Sequence, residues 1–376
     1  MKFVTSSTEL LSHLQAISRV ISSKNTLPIL DNFLFNLEDG KLTITASDLE
    51  STLVTMMALE NVSEEGTIAI PAKLILDTLK EFPEQPLTFE VNQDTNSIVI
   101  NSQNGKFTIM GQNGDDFPQI PSIKNDKKNS IELSASILNN GINKTLFAAA
   151  DDELRPVMNG IFFEISHKEI IFVASDAHKL VRYKRFDIKS NVDGSFILPK
   201  KPASLLKTIM QKEENKVLIE FDEKNAYFQL TNYRMICRLV EGAYPNYNSV
   251  IPTKNPNKLI IGRSELYNTL KRVSVFANQA SNLVKLQLTG NQIIISAQDI
   301  DFSISAYERL NCQYDGDDME IGFKSSFLIE ILANLTSTDI ALEMSDPSRA
   351  GIIVPVDKDT DAEDVLMLLM PMMVNA

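Results

Sequence analysis

Ser175, Asp176 and His178 stand within four positions of one another in the segment VASDAHKLV, and these side-chain types can perform nucleophilic catalysis. A serine attacks an acyl group when a histidine takes its proton and a carboxylate orients the histidine. The three groups must converge in space, which immediate neighbours in a chain seldom do. The other interpretation is a turn after the strand-like run EIIFV, in which the aspartate accepts backbone hydrogen bonds.

The aspartate recurs along the chain, but the histidine does not. Asp48, Asp176 and Asp299 are 128 and 123 residues apart, and each follows two alternating strands that a short polar turn joins. In the first and third copies an acidic residue stands where the histidine would be. A structural role in a turn therefore explains the aspartate better than catalysis does. A repeat of this length indicates three homologous domains.

Each copy also contains two helical segments, recognised by the spacing of their apolar residues. Pro71 and Pro199 precede two of the helices, where the missing N–H breaks no hydrogen bond. The segments that hold the helices are residues 6–23, 66–82, 134–150, 194–210, 262–277 and 319–335. The faces predicted to be buried include Leu10, Leu14, Ile17 and Ile21 in the first segment, and Leu74, Ile75, Leu79 and Phe82 in the second.

Strands dominate each copy, and most connections between them are too short for parallel crossovers. The sequence therefore predicts an α+β fold with antiparallel sheets. Polar stretches marked by proline separate the copies. The predicted domains are residues 1–125, 126–252 and 253–376.

Composition restricts the function classes. The 376 residues are 43% hydrophobic with a net charge of −13, which on average disfavours nucleic acid, although a hole or cleft can be basic inside an acidic molecule. Cys237 and Cys312 lack metal-ligand spacing. We see no signal peptide and no apolar run of about 20 residues that could span a membrane. A protein of the reducing cytoplasm is expected, without membrane attachment.

No motif indicates a metal or a cofactor. The segment DKDTDAED at 357–364 starts like a calcium loop but lacks the glycine that its turn requires. No glycine-rich phosphate loop with its lysine occurs, so ATP hydrolysis is not expected of this chain.

Several motifs together resemble one family. They are the opening MKF, KNTLPILDNFLF at 24–35, ASDAHKL at 174–180, EGAYPNY at 241–247 and the ending LLMPMM at 368–373. With three-domain spacing over the whole chain, they resemble the bacterial sliding clamp, the beta subunit of DNA polymerase III. The resemblance implies three tandem clamp domains, each with two helices packed on antiparallel sheets, and a head-to-tail homodimer ring with pseudo-six-fold symmetry.

The same resemblance implies a non-catalytic processivity factor that encircles duplex DNA without sequence preference. It also implies partners that bind through a short peptide motif. These are the catalytic subunit of the replicative DNA polymerase, the clamp loader, translesion polymerases, and mismatch-repair and ligase-type proteins.

In the family, helices line the hole and basic side chains contact phosphates without reading bases. The candidates here are Lys24, Lys73, Lys80, Lys144, Arg155, Lys200, Lys201, Lys207, Lys271 and Arg272. Those that match DNA-facing positions of the family are Lys24, Lys73, Arg155, Lys200 and Lys201. Pro156 and Val157 stand where the family often has two tyrosines, so an aromatic contact to DNA is not expected there.

The family receives partner peptides in an apolar pocket. Carried over position by position, the pocket comprises Met158, Ser175, His178, Lys179, Leu180, Pro245, Val250, Leu368, Met370, Pro371 and Met372, with Ser249 and Ala350 at its edge. Lys179 replaces a common arginine, and Ser249 and Ala350 also differ from frequent family residues, so the peptide preference is expected to differ. Methionines suit such a surface because their flexible side chains adapt to several ligands.

The dimer interface implied by the resemblance joins the first copy of one subunit to the third copy of the other. Phe107 and Ile109 on an edge strand, and Val275 with Phe276 after a helix, match interface positions of the family.

Two rival functions differ in what they predict. An enzyme that uses Asp176 and His178 as an acid–base pair would lose turnover when the histidine is replaced. A repeat-built adhesion or carbohydrate-binding module would normally carry an export signal.

Overall fold

The structure is a computed structural model that describes residues 1–22, 24–59, 62–120, 129–358 and 360–374. In residues 1–120 the elements are β1 (Lys2–Ser6), α1 (Ser7–Ser18), β2 (Asn32–Glu38), β3 (Lys41–Ser47), β4 (Ser51–Ala58), β5 (Val62–Glu64), β6 (Gly66–Pro71), α2 (Ala72–Lys80), β7 (Pro86–Asn92), β8 (Ser97–Asn101), β9 (Lys106–Met110) and β10 (Gln112–Asn113).

The later elements continue the pattern of strands with few helices. In residues 129–238 they are β11 (Asn129–Ser134), α3 (Ala135–Thr145), β12 (Gly160–Ile165), β13 (Ile170–Ser175), β14 (Lys179–Arg185), β15 (Gly194–Pro199), α4 (Lys200–Ile209), β16 (Lys216–Phe221), β17 (Asn225–Gln229) and β18 (Tyr233–Arg238). From residue 257 they are β19 (Asn257–Gly262), α5 (Arg263–Val273), β20 (Leu283–Thr289), β21 (Gln292–Asp299), β22 (Ile304–Asn311), β23 (Gln313–Asp315), β24 (Met319–Lys324), α6 (Ser325–Ala333), β25 (Asp339–Met344), β26 (Gly351–Pro355) and β27 (Glu363–Leu369).

Helix α1 shows how the sequence sets the helix boundaries. The hydroxyl of Ser6 caps the helix by accepting a hydrogen bond of 3.3 Å from the backbone N–H of Glu9. Leu10, Leu14 and Ile17 are fully buried, as their spacing predicts. The helix ends at Ser18, so the prediction that it continues through Ile21 is wrong.

Helix α2 begins directly after Pro71, the last residue of β6, as predicted. Ile75 and Leu79 are buried on one face of the helix. Leu74 is 50% exposed, so its predicted place on the buried face is wrong. The buried face is set by Ala72, Ile75 and Leu79, and Leu74 lies about 100° away from Ile75 around the helix.

The chain folds into two compact units. The first consists of residues 1–139 and 201–239 and contains two sheets. One has the strand order β5-β1-β7-β8-β9, and the other has the order β10-β6-β2-β3-β4-β18-β17-β16-β11. The first sheet therefore ends in β9, and the second is continuous from the first repeat to the second through the pairing of β4 with β18.

The second unit consists of residues 140–200 and 240–376 and also contains two sheets. The larger has the order β15-β12-β13-β14-β27-β26-β25-β19-β23, and the smaller has the order β22-β21-β20-β24. Strands β14 and β27 pair over seven residues, from Lys179 opposite Leu369 to Arg185 opposite Glu363. The second sequence repeat is thus divided between the units, because its strands pair with those of both neighbouring repeats.

Within the described residues, the paired strands form antiparallel ladders, as in the pairs β14–β27 and β20–β21, which confirms the predicted α+β class. The domain boundaries near 125 and 252 remain predictions. Residue 125 lies outside the described residues.

Candidate functional site

The three repeated aspartates occupy the same kind of turn. One carboxylate oxygen of Asp176 accepts hydrogen bonds from the backbone N–H groups of His178 (2.9 Å) and Lys179 (2.8 Å). Asp48 and Asp299 each accept two backbone N–H groups in the same way, two and three residues further along the chain. The predicted turn role of the aspartate is confirmed.

The same turn excludes a catalytic triad. The Ser175 hydroxyl donates to the carbonyl of Lys179 at 2.9 Å, and the imidazole of His178 stacks on the ring of Phe327 with centroids 5.9 Å apart. The second oxygen of Asp176 binds the ammonium of Lys179 at 2.8 Å. Burial alone would raise the pKa of Asp176, but the hydrogen bonds from Lys179 and His178 outweigh it and lower the pKa. The carboxylate is therefore a structural anion.

Lys179 ties this turn to helix α6. Its side chain is 6% exposed, and its ammonium also lies 3.1 Å from Glu330 and 4.4 Å from the ring centre of Phe327. A buried ammonium needs such compensation because the desolvation of its charge is unfavourable. Lys179 thus links the turn beside the predicted pocket to α6, and its charge is balanced by carboxylates of the same chain.

The floor of the predicted pocket is an apolar cluster on one face of the larger sheet of the second unit. Leu180 lies opposite Leu368, and Leu368 lies opposite Ile352, so three neighbouring strands supply one row of side chains. The buried cluster comprises Ile171, Val173, Leu180, Tyr247, Ala350, Ile352, Leu366 and Leu368. Met158 is also buried. The predicted pocket residues Leu180, Ala350 and Leu368 are brought together here, whereas a local pattern could not have predicted the contribution of Val173.

The loop at 244–251 covers part of this floor. Tyr244 stacks on Phe162 with centroids 4.8 Å apart, and the hydroxyl of Tyr247 donates to Glu164 at 2.6 Å. The loop residues Pro245 and Ser249 are exposed, and Val250 is 55% exposed. These contacts fix the loop at the edge of the cluster and leave its small side chains on the surface.

The segment from Met370 to Val374 forms the opposite edge. The backbone N–H of Met370 donates to the carbonyl of His178 at 2.8 Å, and that of Met372 donates to Gly322 at 2.8 Å. A side chain at position 322 would collide with the carbonyl of Met372, so only glycine admits the segment. Met370 is 41% exposed, and Pro371 and Met372 are half-buried.

Lys324 and Phe327, at the junction of β24 and α6, also border this edge and were missed by the sequence reasoning. Phe327 contacts both His178 and Lys179, which lie far earlier in the chain, in the second sequence repeat. An aromatic residue in the first turn of a helix beside an otherwise apolar stretch is the one signal that could have drawn attention to it.

The predicted interface residues lie on one edge strand and in one short turn. Strand β9 ends its sheet; there Phe107 is 40% exposed and packs edge-on against Phe82, while Ile109 is 5% exposed. The side chain of Ile109 therefore belongs to the core of its own sheet. Val275 is 73% exposed and Phe276 is 38% exposed, in the short 3₁₀ turn after α5.

Strand β22 is the open edge of the four-stranded sheet, and the sequence reasoning missed it. Apolar side chains are unusually exposed along it and along the turn before it: Ile300 (79%), Phe302 (70%), Ile304 (40%) and Tyr307 (71%). An exposed apolar edge strand offers unpaired backbone groups to another chain. This edge is therefore a candidate association surface.

The predicted DNA-contact residues differ in how their charge is balanced. Lys24 and Lys73 are exposed and make no ion pair within the part of the chain that is described. Lys80 pairs with Asp77 at 3.0 Å, Arg155 with Asp152 at 2.8 Å and Lys200 with Asp151 at 3.8 Å. Such exposed pairs contribute little stability, so they leave these charges accessible to other anions.

Lys201 is bound differently. Its ammonium donates to the carbonyl of Val20, beyond the end of α1, and to the carboxylate of Asp48 in the first repeated turn. Lys144 is 14% exposed and pairs with the buried Glu363 at 3.3 Å, and Arg272 binds Glu308. The expectation that Lys144 presents its charge on a helix surface is therefore wrong, because the ammonium lies against β27 and the ring of Tyr183.

A cleft of about 570 Å³ lies between α1, the end of α4 and the turn at 231–233. His13 lines this cleft, and the buried Thr55 beside it donates its hydroxyl proton to the carbonyl of Asn232. Thr55 must therefore accept the hydrogen bond from Nδ1 of His13. Burial lowers the pKa of His13. This assignment leaves Nε2 of the neutral imidazole without a proton.

The described part of the chain contains neither a metal-binding cluster nor a membrane-spanning helix. No group of three or more His, Cys, Asp or Glu side chains there is arranged to hold a metal ion. No helix there is both long and apolar enough to cross a membrane.

Comparison with known proteins gives a consistent result. Three family models match the chain: the N-terminal domain of the DNA polymerase III beta subunit at residues 1–121, its central domain at 132–246 and its C-terminal domain at 248–373. The beta sliding clamp of Vibrio cholerae is 27% identical over 360 residues, which cover 96% of this chain and 97% of the relative.

Solved structures agree over the full length. The sliding clamp of Pseudomonas aeruginosa, DNA polymerase III subunit beta bound to griselimycin, matches with a TM-score of 0.93 and 26% identity, covering 100% of both chains. The corresponding clamp of Bartonella birtlesii matches with a TM-score of 0.91 and 28% identity over the same coverage.

Proposed function

This chain belongs to the family of the DNA polymerase III beta subunit, the beta sliding clamps, and we propose that two copies of it close head to tail into a ring around duplex DNA. Members of the family are non-catalytic processivity factors of DNA replication. The chain consists of three tandem clamp domains with an α+β fold. Their boundaries near residues 125 and 252 are part of the proposal.

The observation that carries the ring is the pair of open edge strands. Strand β9 lies in the first repeat and β22 in the third, and both carry exposed aromatic side chains. Pairing β9 of one copy with β22 of the other extends the sheets across the contact and removes both edges. The two surfaces are unlike, so each subunit uses its β9 edge in one contact and its β22 edge in the other. Two such contacts close a ring of two copies.

The proposed DNA contacts are electrostatic and weak. Lys24 and Lys73 make no ion pair with any described residue, while Lys80, Arg155 and Lys200 lie in ion pairs at the surface that phosphates can replace. The net charge of −13 disfavours binding of DNA to the rest of the surface. DNA is therefore expected to pass through the ring and not to bind along its outside. Contacts of this kind read no bases and allow sliding.

The apolar cluster with its two edges is proposed to receive partner peptides. Its partners would be the replicative polymerase subunit, the clamp loader, translesion polymerases, and mismatch-repair and ligase-type proteins. Support comes from the shape of the site: a buried aliphatic floor at Leu180 and Leu368, with the exposed Val250 and Met370 at its rim. Such a surface accepts apolar anchors of a short peptide. We propose the cytoplasm as the compartment, where both free cysteines stay reduced.

Primer extension on a circular template with the cognate polymerase and clamp loader tests this function. The protein is expected to lengthen the products made in one binding event, and a variant without residues 370–376 is expected to lose that effect and remain dimeric. If the truncated variant retained micromolar affinity for a partner peptide, the pocket assignment would be wrong.

A further inference from the structure

Three groups that can carry positive charge surround one aromatic ring at the edge of the pocket. The ammonium groups of Lys179 and Lys324 lie 4.4 and 4.7 Å from the ring centre of Phe327. The imidazole of His178 stacks on the same ring. Cations are attracted to the face of an aromatic ring, so Phe327 holds the lysine side chains in place.

The two lysines differ in their anions. Lys179 has Asp176 and Glu330 within 3.1 Å and is almost fully buried. Lys324 is half-buried, and within the residues that the structure describes no carboxylate lies within ion-pair distance of it. An ammonium that is held by a ring face but lacks an anion retains N–H donors for a ligand.

The position of Lys324 places it beside the route of a bound peptide. Gly322, two residues earlier on β24, accepts the hydrogen bond from Met372, and His178 accepts that from Met370. The segment Met370–Met372 therefore runs from the His178 turn to the strand that carries Lys324. The exposed loop side chains Pro245, Ser249 and Val250 and the exposed Met373 are uncharged.

We propose that Lys324 is a specificity-determining residue of the pocket, and that it receives the carboxylate of an acidic residue in a partner peptide whose apolar side chains fill the cluster. The inference rests on the proposed peptide-binding function. A molecule with net charge −13 repels acidic segments in general, so their binding needs a local cation. Lys324 supplies that cation beside the uncharged side chains of the C-terminal segment.

Fluorescence anisotropy with paired synthetic peptides tests the proposal. The probes carry leucine and phenylalanine as apolar anchors for the cluster and differ only by aspartate or asparagine, placed in turn at each position between or beside the anchors. For the wild-type protein, at least one aspartate peptide is expected to bind about 3- to 5-fold more tightly than its asparagine partner at low salt.

Two variants test whether the preference depends on Lys324 itself or on the overall charge of the protein. In Lys324→Gln the affinities for the aspartate and asparagine peptides are expected to become equal. In Lys168→Gln, an exposed lysine in the β12–β13 turn, the preference is expected to persist. The inference about Lys324 is overturned if the preference for aspartate survives in Lys324→Gln. It is also overturned if the wild type shows no such preference at any position. Either result leaves the pocket assignment standing. If no peptide binds the wild type, the pocket assignment fails and the inference fails with it.

Discussion

The carboxylate of Asp176 holds Lys179 twice: one oxygen accepts its backbone N–H, and the other lies 2.8 Å from its ammonium. These two bonds close the turn between β13 and β14 and fix the position of Lys179. The next residue, Leu180, lies in the floor of the proposed pocket. The aspartate that suggested catalysis thus positions a residue of the proposed binding surface. The equivalent Asp48 holds its turn in the same way and binds the ammonium of Lys201.

Replacing Asp176 separates the two bonds. Asp176→Asn keeps an acceptor for the backbone and loses the ion pair, so it is expected to lower the free energy of unfolding by about 1 kcal/mol. Asp176→Ala loses both and leaves the buried Lys179 with Glu330 alone, with an expected loss of about 2 to 3 kcal/mol. Urea denaturation measures both, with the exposed Asp193→Ala as control. Equal stability of the three variants would contradict the role of the turn.

Exposed aromatic side chains on β22 and in the turn before it are expected to hold the dimer. Phe302→Ser with Tyr307→Ser removes two side chains that are about 70% exposed, so the fold should survive. Loss of two buried interface anchors is expected to raise the dimer dissociation constant at least about 30-fold. Sedimentation velocity across a dilution series measures it. Leu154→Ser, at a 91% exposed residue off both edge strands, should leave the dimer unchanged. A double variant as dimeric as the wild type would place the contact elsewhere.

Two lysines with the same predicted role are expected to behave differently. Lys73→Ala should weaken binding to duplex DNA at low salt and reduce the slope of log affinity against log salt by about 0.9. Lys201→Ala should instead lower stability by about 1 kcal/mol, because its ammonium binds Val20 and Asp48. Salt titration of DNA binding together with thermal melting tests both. An unchanged salt slope in Lys73→Ala would remove this residue from the DNA-contact set.

His13 is expected to make stability depend on pH. Burial lowers its pKa, so the native state takes up the proton less readily than the unfolded chain. Stability contributed by the neutral imidazole is complete above about pH 6.5 and is lost as the pH falls further. His13→Asn, whose side-chain amide can donate to Thr55, should therefore lose less stability than the wild type between pH 7.5 and 5.5.

The matched control for this pH dependence is His167→Asn. His167 is exposed, and its Nδ1, like that of His13, has an oxygen partner, here the carbonyl of Ser190. Thermal melting at the two pH values gives the comparison. If His13→Asn and His167→Asn lost stability equally on acidification, burial of His13 would not be the cause.

Local features could be predicted from the sequence. The turns at Asp48, Asp176 and Asp299 follow from side-chain bonds that reach only two or three residues along the chain. The buried residues of α1 follow from helical spacing, whereas Leu74 in α2 shows the limit of that pattern. An isolated helical segment does not indicate which of two adjacent apolar residues faces the sheet.

Long-range pairing could not be predicted. That Leu180 lies opposite Leu368 depends on the register between β14 and β27, which no local pattern specifies. The same pairing brings α6 under the turn and adds Phe327 and Lys324 to the pocket. Likewise, Phe107 and Ile109 are two residues apart and lie on the same face of β9, yet only Ile109 is buried. Its burial depends on what packs against that part of the strand, which the local pattern does not specify.

Retention on circular DNA tests the central claim most directly. Protein loaded by the clamp loader onto a nicked circular duplex is separated from free protein by gel filtration, and the DNA is then cut once at a site away from the nick. A closed ring predicts that the protein stays with the circle and leaves the linear molecule through its ends. Equal retention on both forms, or equal loss from both, would contradict a ring that encircles DNA.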